Sequence, residues 1–78
     1  MTVKILGTGC AKCKTLEQRI IVLKEKYQLD IQIEKVIKLN DIMSYGVMMT
    51  PALVIDGKVK SSGKVPKDEE ILKWIHED

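Results

Sequence analysis

A chain of 78 residues with no break in composition has room for one hydrophobic core, so residues 1–78 are read as a single domain. Against 11 Asp and Glu, 13 Lys and Arg leave a net charge of only +2, and the two signs interleave, as in Lys67-Asp68-Glu69-Glu70: a solubilising surface, not a stripe for nucleic acid. Phe is absent, Tyr27, Tyr45 and Trp74 are too scattered to stack bases, and the longest apolar runs, Ile20 to Leu23 and Ala52 to Ile55, fall far short of a membrane span.

Val3 to Leu6 is a short apolar run cut off by Gly7-Thr8-Gly9, which predicts a buried strand leading into a loop. Cys13, Leu16, Ile20, Leu23 and Tyr27 then recur at intervals of three and four, placing them on one inward stripe of a helix over 11–27. Ile31 and Ile33 alternate with Gln32 and Glu34, giving a second strand that ends near Val36 or Ile37. Strand, helix, strand makes a right-handed crossover with the two strands parallel in one sheet. A short helix over 40–45 follows, with Asn40 as N-cap and Gly46 as its stop. Leu53-Val54-Ile55, Asp56-Gly57 and Lys58-Val59-Lys60 read as a hairpin whose two-residue turn matches strand twist. Ser61-Ser62-Gly63 is predicted as a loop. Pro66 stands at the start of a last helix, whose first turn is loaded with Asp68, Glu69 and Glu70 and whose buried face is Ile71, Leu72 and Ile75, with Trp74 at its edge. The order is βαβαββα.

No apolar signal region opens the chain, and a cytoplasmic location is therefore expected. In that reducing compartment a Cys-x-x-Cys pair points to catalysis or metal binding more than to a permanent clamp. Cys10 closes a glycine-containing loop at or just before the long helix, where free backbone N–H groups and the helix dipole favour a thiolate; Lys12 adds a little positive charge. Cys13, one turn on, belongs to the inward stripe. The two sulfurs are thus close enough to bridge, and only one faces a partner. Cys10 is accordingly assigned as the attacking nucleophile and Cys13 as the resolving thiol, in exchange with a protein disulfide through a mixed disulfide. Against this stands an ordinary buried cysteine in a helix stripe.

Gly9-Cys10-Ala11-Lys12-Cys13, followed some forty residues later by Met49-Thr50-Pro51-Ala52-Leu53 and Asp56-Gly57-Lys58, resembles the minimal thioredoxin/glutaredoxin-like family of small redox-active disulfide proteins over nearly the whole chain. The resemblance implies an α/β fold with a four-stranded mixed sheet ordered 2-1-3-4 and helices on both faces. It implies a cis Pro51 facing the disulfide, Thr50 pairing backbone to backbone with an extended substrate segment, and Gly63 in a turn that lets a substrate backbone approach. It also implies no cofactor beyond the Cys10–Cys13 disulfide, a monomer, and a flavoprotein disulfide reductase as electron donor. The alternative for Pro51 is a trans proline opening an edge strand. Thioredoxin proper has Trp-Cys-Gly-Pro-Cys and an acid in the preceding strand; here Gly9 replaces the Trp, Ala11-Lys12 fill the middle and Val3 to Leu6 contains no acid.

The competing reading is a soft-metal chaperone of the heavy-metal-associated type, binding copper or zinc through Cys10 and Cys13 after a first strand. That fold runs βαββαβ, and its loop carries Met where this chain has Thr8. A closed tetrahedral zinc site needs four ligands, and His76 is the only His. Met43, Met48 and Met49 are read as packing around a helix end and a loop. A binding module with incidental cysteines remains a third class.

Overall fold

The computed structural model describes residues 1–77. In chain order its elements are β1 (Thr2–Leu6), α1 (Ala11–Tyr27), β2 (Gln32–Val36), α2 (Leu39–Ser44), β3 (Ala52–Ile55), β4 (Lys58–Ser62) and α3 (Asp68–Glu77). The sheet is four-stranded with order β2-β1-β3-β4; β1 and β2 are parallel, and β3 is antiparallel to both β1 and β4. This is the α/β architecture anticipated from the resemblance.

Alternation along the strands divides the interior in two. Val3, Ile5, Leu53 and Ile55 face Leu16, Ile20 and Leu23 of α1 and Ile71 and Ile75 of α3. On the opposite face Leu6, Ala52 and Val54 pack with Ile42 of α2 and with Val47. With both faces covered, β3 is buried along its whole length, which explains its unbroken apolar run. Arg19 ties α1 to the start of α3: its Nη1 donates to the Pro66 carbonyl at 2.8 Å, and its Nε lies 3.3 Å from Asp68 Oδ1.

Register decides what meets at one end of the sheet. Leu6, the last residue of β1, lies opposite Val36 and Ala52, and Ala52 lies opposite Ser62. The loop after β1, the residues before β3 and the residue after β4 therefore converge where α1 begins.

Several local expectations need correction. Tyr27 is half exposed, not buried: the chain reverses at Gln28, in the left-handed conformation, and Leu29 and Ile31 supply the apolar contacts at that end. Asn40 is no cap. The first turn of α2 closes two residues earlier, with Ile42 N–H donating to the Lys38 carbonyl at 3.0 Å, because the phase of this short helix follows burial of Ile42. Ser61 and Ser62 are strand, not loop: pairing jumps from Val59 opposite Val54 to Ser61 opposite Leu53, a bulge that turns Ser61 inward. Pro66 lies two residues ahead of α3, fully buried, and Glu70 Oε1 accepts from Lys67 N–H at 3.3 Å to cap the helix. Asp56 and Gly57 both have positive φ (48° and 83°), as the hairpin turn requires.

Leu16 is completely buried between α1 and the sheet, whereas Met48 is 96% exposed. Leu16→Ala is expected to cost about 3 kcal/mol in urea unfolding of the reduced protein. Met48→Ala should stay within about 0.5 kcal/mol.

Candidate active site

Cys10 is the N-cap of α1. Its backbone is extended (φ −67°, ψ 168°), its carbonyl accepts the first helical bond from Lys14 N–H at 3.1 Å, and its sulfur accepts from Cys13 N–H at 3.3 Å. A sulfur thus fills the place of the Ser, Thr, Asp or Asn oxygen that usually satisfies such a donor. Gly9, at φ +92°, supplies the left-handed step that brings the chain into this cap.

Both cysteines are free thiols, and their surroundings differ. Cys10 is exposed; Cys13 is 5% exposed on the inward stripe of α1. A hydrogen bond from the Cys13 thiol, followed by the Cys13 backbone N–H, holds the Cys10 thiol below its ordinary range, with smaller help from the backbone of Lys12 and Cys10 itself. Lys12 is exposed, and it is its backbone, not its ammonium group, that acts on the sulfur. Burial pushes the Cys13 thiol up, and donating to Cys10 pushes it further. The helix mouth anticipated from sequence is there, but the neighbouring thiol is the largest cause.

Gly7 was legible only as a turn residue, and the structure gives it a specific place. Its N–H donates to the Val36 carbonyl at 2.9 Å, extending the β1–β2 ladder by one step past Leu6. A Cβ on Gly7 would overlap the Cys13 sulfur and stand 3.2 Å from Cys13 Cβ and 3.9 Å from Thr50 Cβ. Gly7 has no positive φ, so space and not backbone conformation demands glycine. The signal in the sequence was a glycine directly continuing a buried strand beside an inward-facing cysteine.

The Thr50–Pro51 peptide bond is cis, and Pro51 is buried. Gly63 N–H donates to the Pro51 carbonyl at 2.9 Å. Where a Cβ of Gly63 would stand, Met49 already approaches, with Cβ and Cε at 3.1 Å. Gly63 is therefore adjacent to the proline, with a methionine beside it. Thr50 is exposed and, with Thr8, forms one end of a groove of about 560 Å³ whose other walls include Leu39, Met43, Val47 and Met48. The methionines, read as packing around a helix end and a loop, are mostly on the surface: Met43, Met48 and Met49 are 60%, 96% and 63% exposed, with Met49 against Gly63. Among the described residues no three His, Cys, Asp or Glu side chains gather as a metal site, and the chain's order, ending in α3, is not that of the metal-chaperone fold.

Comparison with known proteins points to one family. A family model described as a thioredoxin domain matches residues 1–76. The chain belongs to the thioredoxin family. Two relatives, each named thioredoxin, come from methanogens: the protein of Methanothermobacter thermautotrophicus is 36% identical over 75 residues, covering 96% of this chain and 97% of the relative. That of Methanocaldococcus jannaschii is 34% identical over 75 residues, covering 96% and 86%. At the level of the family, the chain is a thiol–disulfide oxidoreductase. No helix among the described residues is long and apolar enough to cross a membrane.

Removing the Cys13 donor tests the assigned cause. Losing a hydrogen bond to the thiolate destabilises the charged form, so the Cys10 midpoint must rise. Cys13→Ala should accordingly shift the 240 nm thiolate absorbance and the iodoacetamide rate of Cys10 to higher pH than in Cys13→Ser, whose hydroxyl can still donate.

Proposed function

We propose that Cys10 and Cys13 exchange their dithiol with disulfides of protein substrates through a mixed disulfide. The Cys10 thiolate attacks one sulfur of a substrate disulfide; the substrate S–S bond breaks, one substrate thiolate leaves, and Cys10 is joined to the other substrate sulfur. The Cys13 sulfur then attacks Cys10 Sγ, the second substrate thiolate leaves with the electron pair, and the chain is left with a Cys10–Cys13 disulfide. One observation carries this assignment: the sulfur that accepts the Cys13 N–H at the helix mouth is the exposed one, and the other sulfur is buried.

Thr50 and Pro51 supply the substrate surface in this reading. Thr50 offers backbone groups beside the cysteines to an extended segment, the buried Pro51 fixes the backbone behind it, and Gly63 holds the Pro51 carbonyl. Residues of the segment beyond its cysteine find apolar contact with Leu39, Met43 and Met48. Lys12 and Gly9 act on the reactivity of Cys10, through a backbone donor and a backbone conformation. The protein works as a single-domain monomer in the cytoplasm and needs no prosthetic group, and a flavoprotein disulfide reductase returns it to the dithiol.

Insulin reduction in the presence of dithiothreitol tests the roles. Cys10→Ser should fall to the dithiothreitol background. Cys13→Ser should turn over poorly and accumulate a protein–insulin adduct, visible on a non-reducing gel and lost on reduction. An adduct formed by Cys10→Ser and none by Cys13→Ser would reverse the assignment.

A further inference from the structure

The resolving step requires the buried Cys13 to lose a proton, and β1, which passes beside it, carries no carboxylate to take one. A crevice of about 90 Å³ reaches Cys13 from the side of the sheet carrying β2. Its inner wall is Ile5, Gly7 and Cys13, all buried; its rim carries Lys14, Glu17 and Lys35. Glu17 stands one helical turn beyond Cys13, so their Cβ atoms lie about 5–6 Å apart on one face of α1. Across the rim, Lys35 of β2 reaches Glu17, with Nζ 3.4 Å from Oε2. The Glu17 side chain is the more sheltered partner, 24% exposed against 60% for Lys35.

We propose that Glu17, held in place by Lys35, is the proton acceptor for Cys13 during resolution of the mixed disulfide, acting through water in this crevice. The proposal rests on the dithiol reading above and adds the route of the proton. A water molecule needs roughly 10–15 Å³ and two to four polar partners. The crevice has the room, and the Cys13 thiol, the Glu17 carboxylate and the Lys35 ammonium supply the partners. The step balances as follows: the Cys13 proton passes through water to the Glu17 carboxylate; the Cys13 sulfur bonds to Cys10 Sγ; the Cys10–substrate bond breaks and the substrate thiolate leaves with its electron pair. Solvent then protonates that thiolate and takes the proton from Glu17 at the rim.

The charged and titratable groups around Cys13 are Cys10 and Lys14 on its own helix, Glu17 one turn on, and Lys35 from β2. Glu17 is the carboxylate of this set. Lys35 holds it through the ion pair across the rim. Lys35 thus acts on position, and Glu17 on proton transfer.

Ellman's reagent separates the two sulfurs by stopped flow. Attack by Cys10 releases the first thionitrobenzoate at a rate proportional to reagent concentration. Attack by Cys13 on the resulting mixed disulfide releases the second at a rate independent of it. Glu17→Gln should leave the first phase within twofold of wild type and slow the second at least tenfold at pH 6 to 7. The deficit should close toward pH 9, where hydroxide takes the proton directly, and Glu17→Asp should restore part of the rate. A second phase unchanged by Glu17→Gln, or slowed equally at every pH, overturns the proposal. If Cys13→Ser still releases the second equivalent without added thiol, the dithiol reading fails instead, and Glu17 is not at issue.

Discussion

At the mouth of α1 a sulfur stands where a capping oxygen usually stands, and a second sulfur lies one turn later on the buried side. The Cys13 N lies 3.3 Å from Cys10 Sγ, so its N–H caps the helix on the exposed sulfur, and Cys13 is the neighbour that lowers the Cys10 thiol most. Helix geometry makes this possible: a spacing of three brings the N3 amide to the N-cap side chain in any helix. What is particular to this chain is that the capping atom is also the reacting atom. Stabilising the helix start and stabilising the thiolate are one interaction.

Everything around that interaction holds it at the end of the sheet. The inward stripe of Leu16, Ile20 and Leu23 fixes the rotation of α1, and that rotation puts Cys13 inside and leaves Cys10 outside. The pairing of Leu6 with Val36 and Ala52 brings the β1 loop level with the proline that opens β3. Gly7, bonded to Val36, leaves the space that the Cys13 sulfur occupies. The sheet also hides Cys13 from bulk solvent, which raises its thiol and leaves the narrow crevice beside Glu17 and Lys35 as its polar outlet.

Features that depend on periodicity were readable from sequence because burial is one-sided. The 3- and 4-residue spacing of Cys13, Leu16, Ile20 and Leu23 assigns unequal surroundings to the two cysteines, and Asp56-Gly57 specifies its turn because few residue pairs accept positive φ twice. Features that depend on a partner elsewhere in the chain were not. Ser61 and Ser62 carry no strand signal, yet pairing with Leu53 and Ala52 and a bulge make them one. Tyr27 continues the apolar spacing past the point where Leu29 and Ile31 take over the core. The methionines read as packing around a helix end and a loop, but each is more than half exposed. Gly7 and Glu17 are ordinary residues in one dimension; contact with Cys13 on one side and Lys35 on the other distinguishes them. Thr50–Pro51 became informative through resemblance, and the cis bond that the resemblance implied is present.

Unequal thiols are the centre of the account, and both can be followed at once in reduced protein carrying ¹³C at the cysteine β-carbons. The two resonances should titrate separately, Cys10 below the midpoint of the same segment as an unfolded peptide and Cys13 above it. Titration of both at the peptide's midpoint, or of Cys13 at the lower pH, would contradict it.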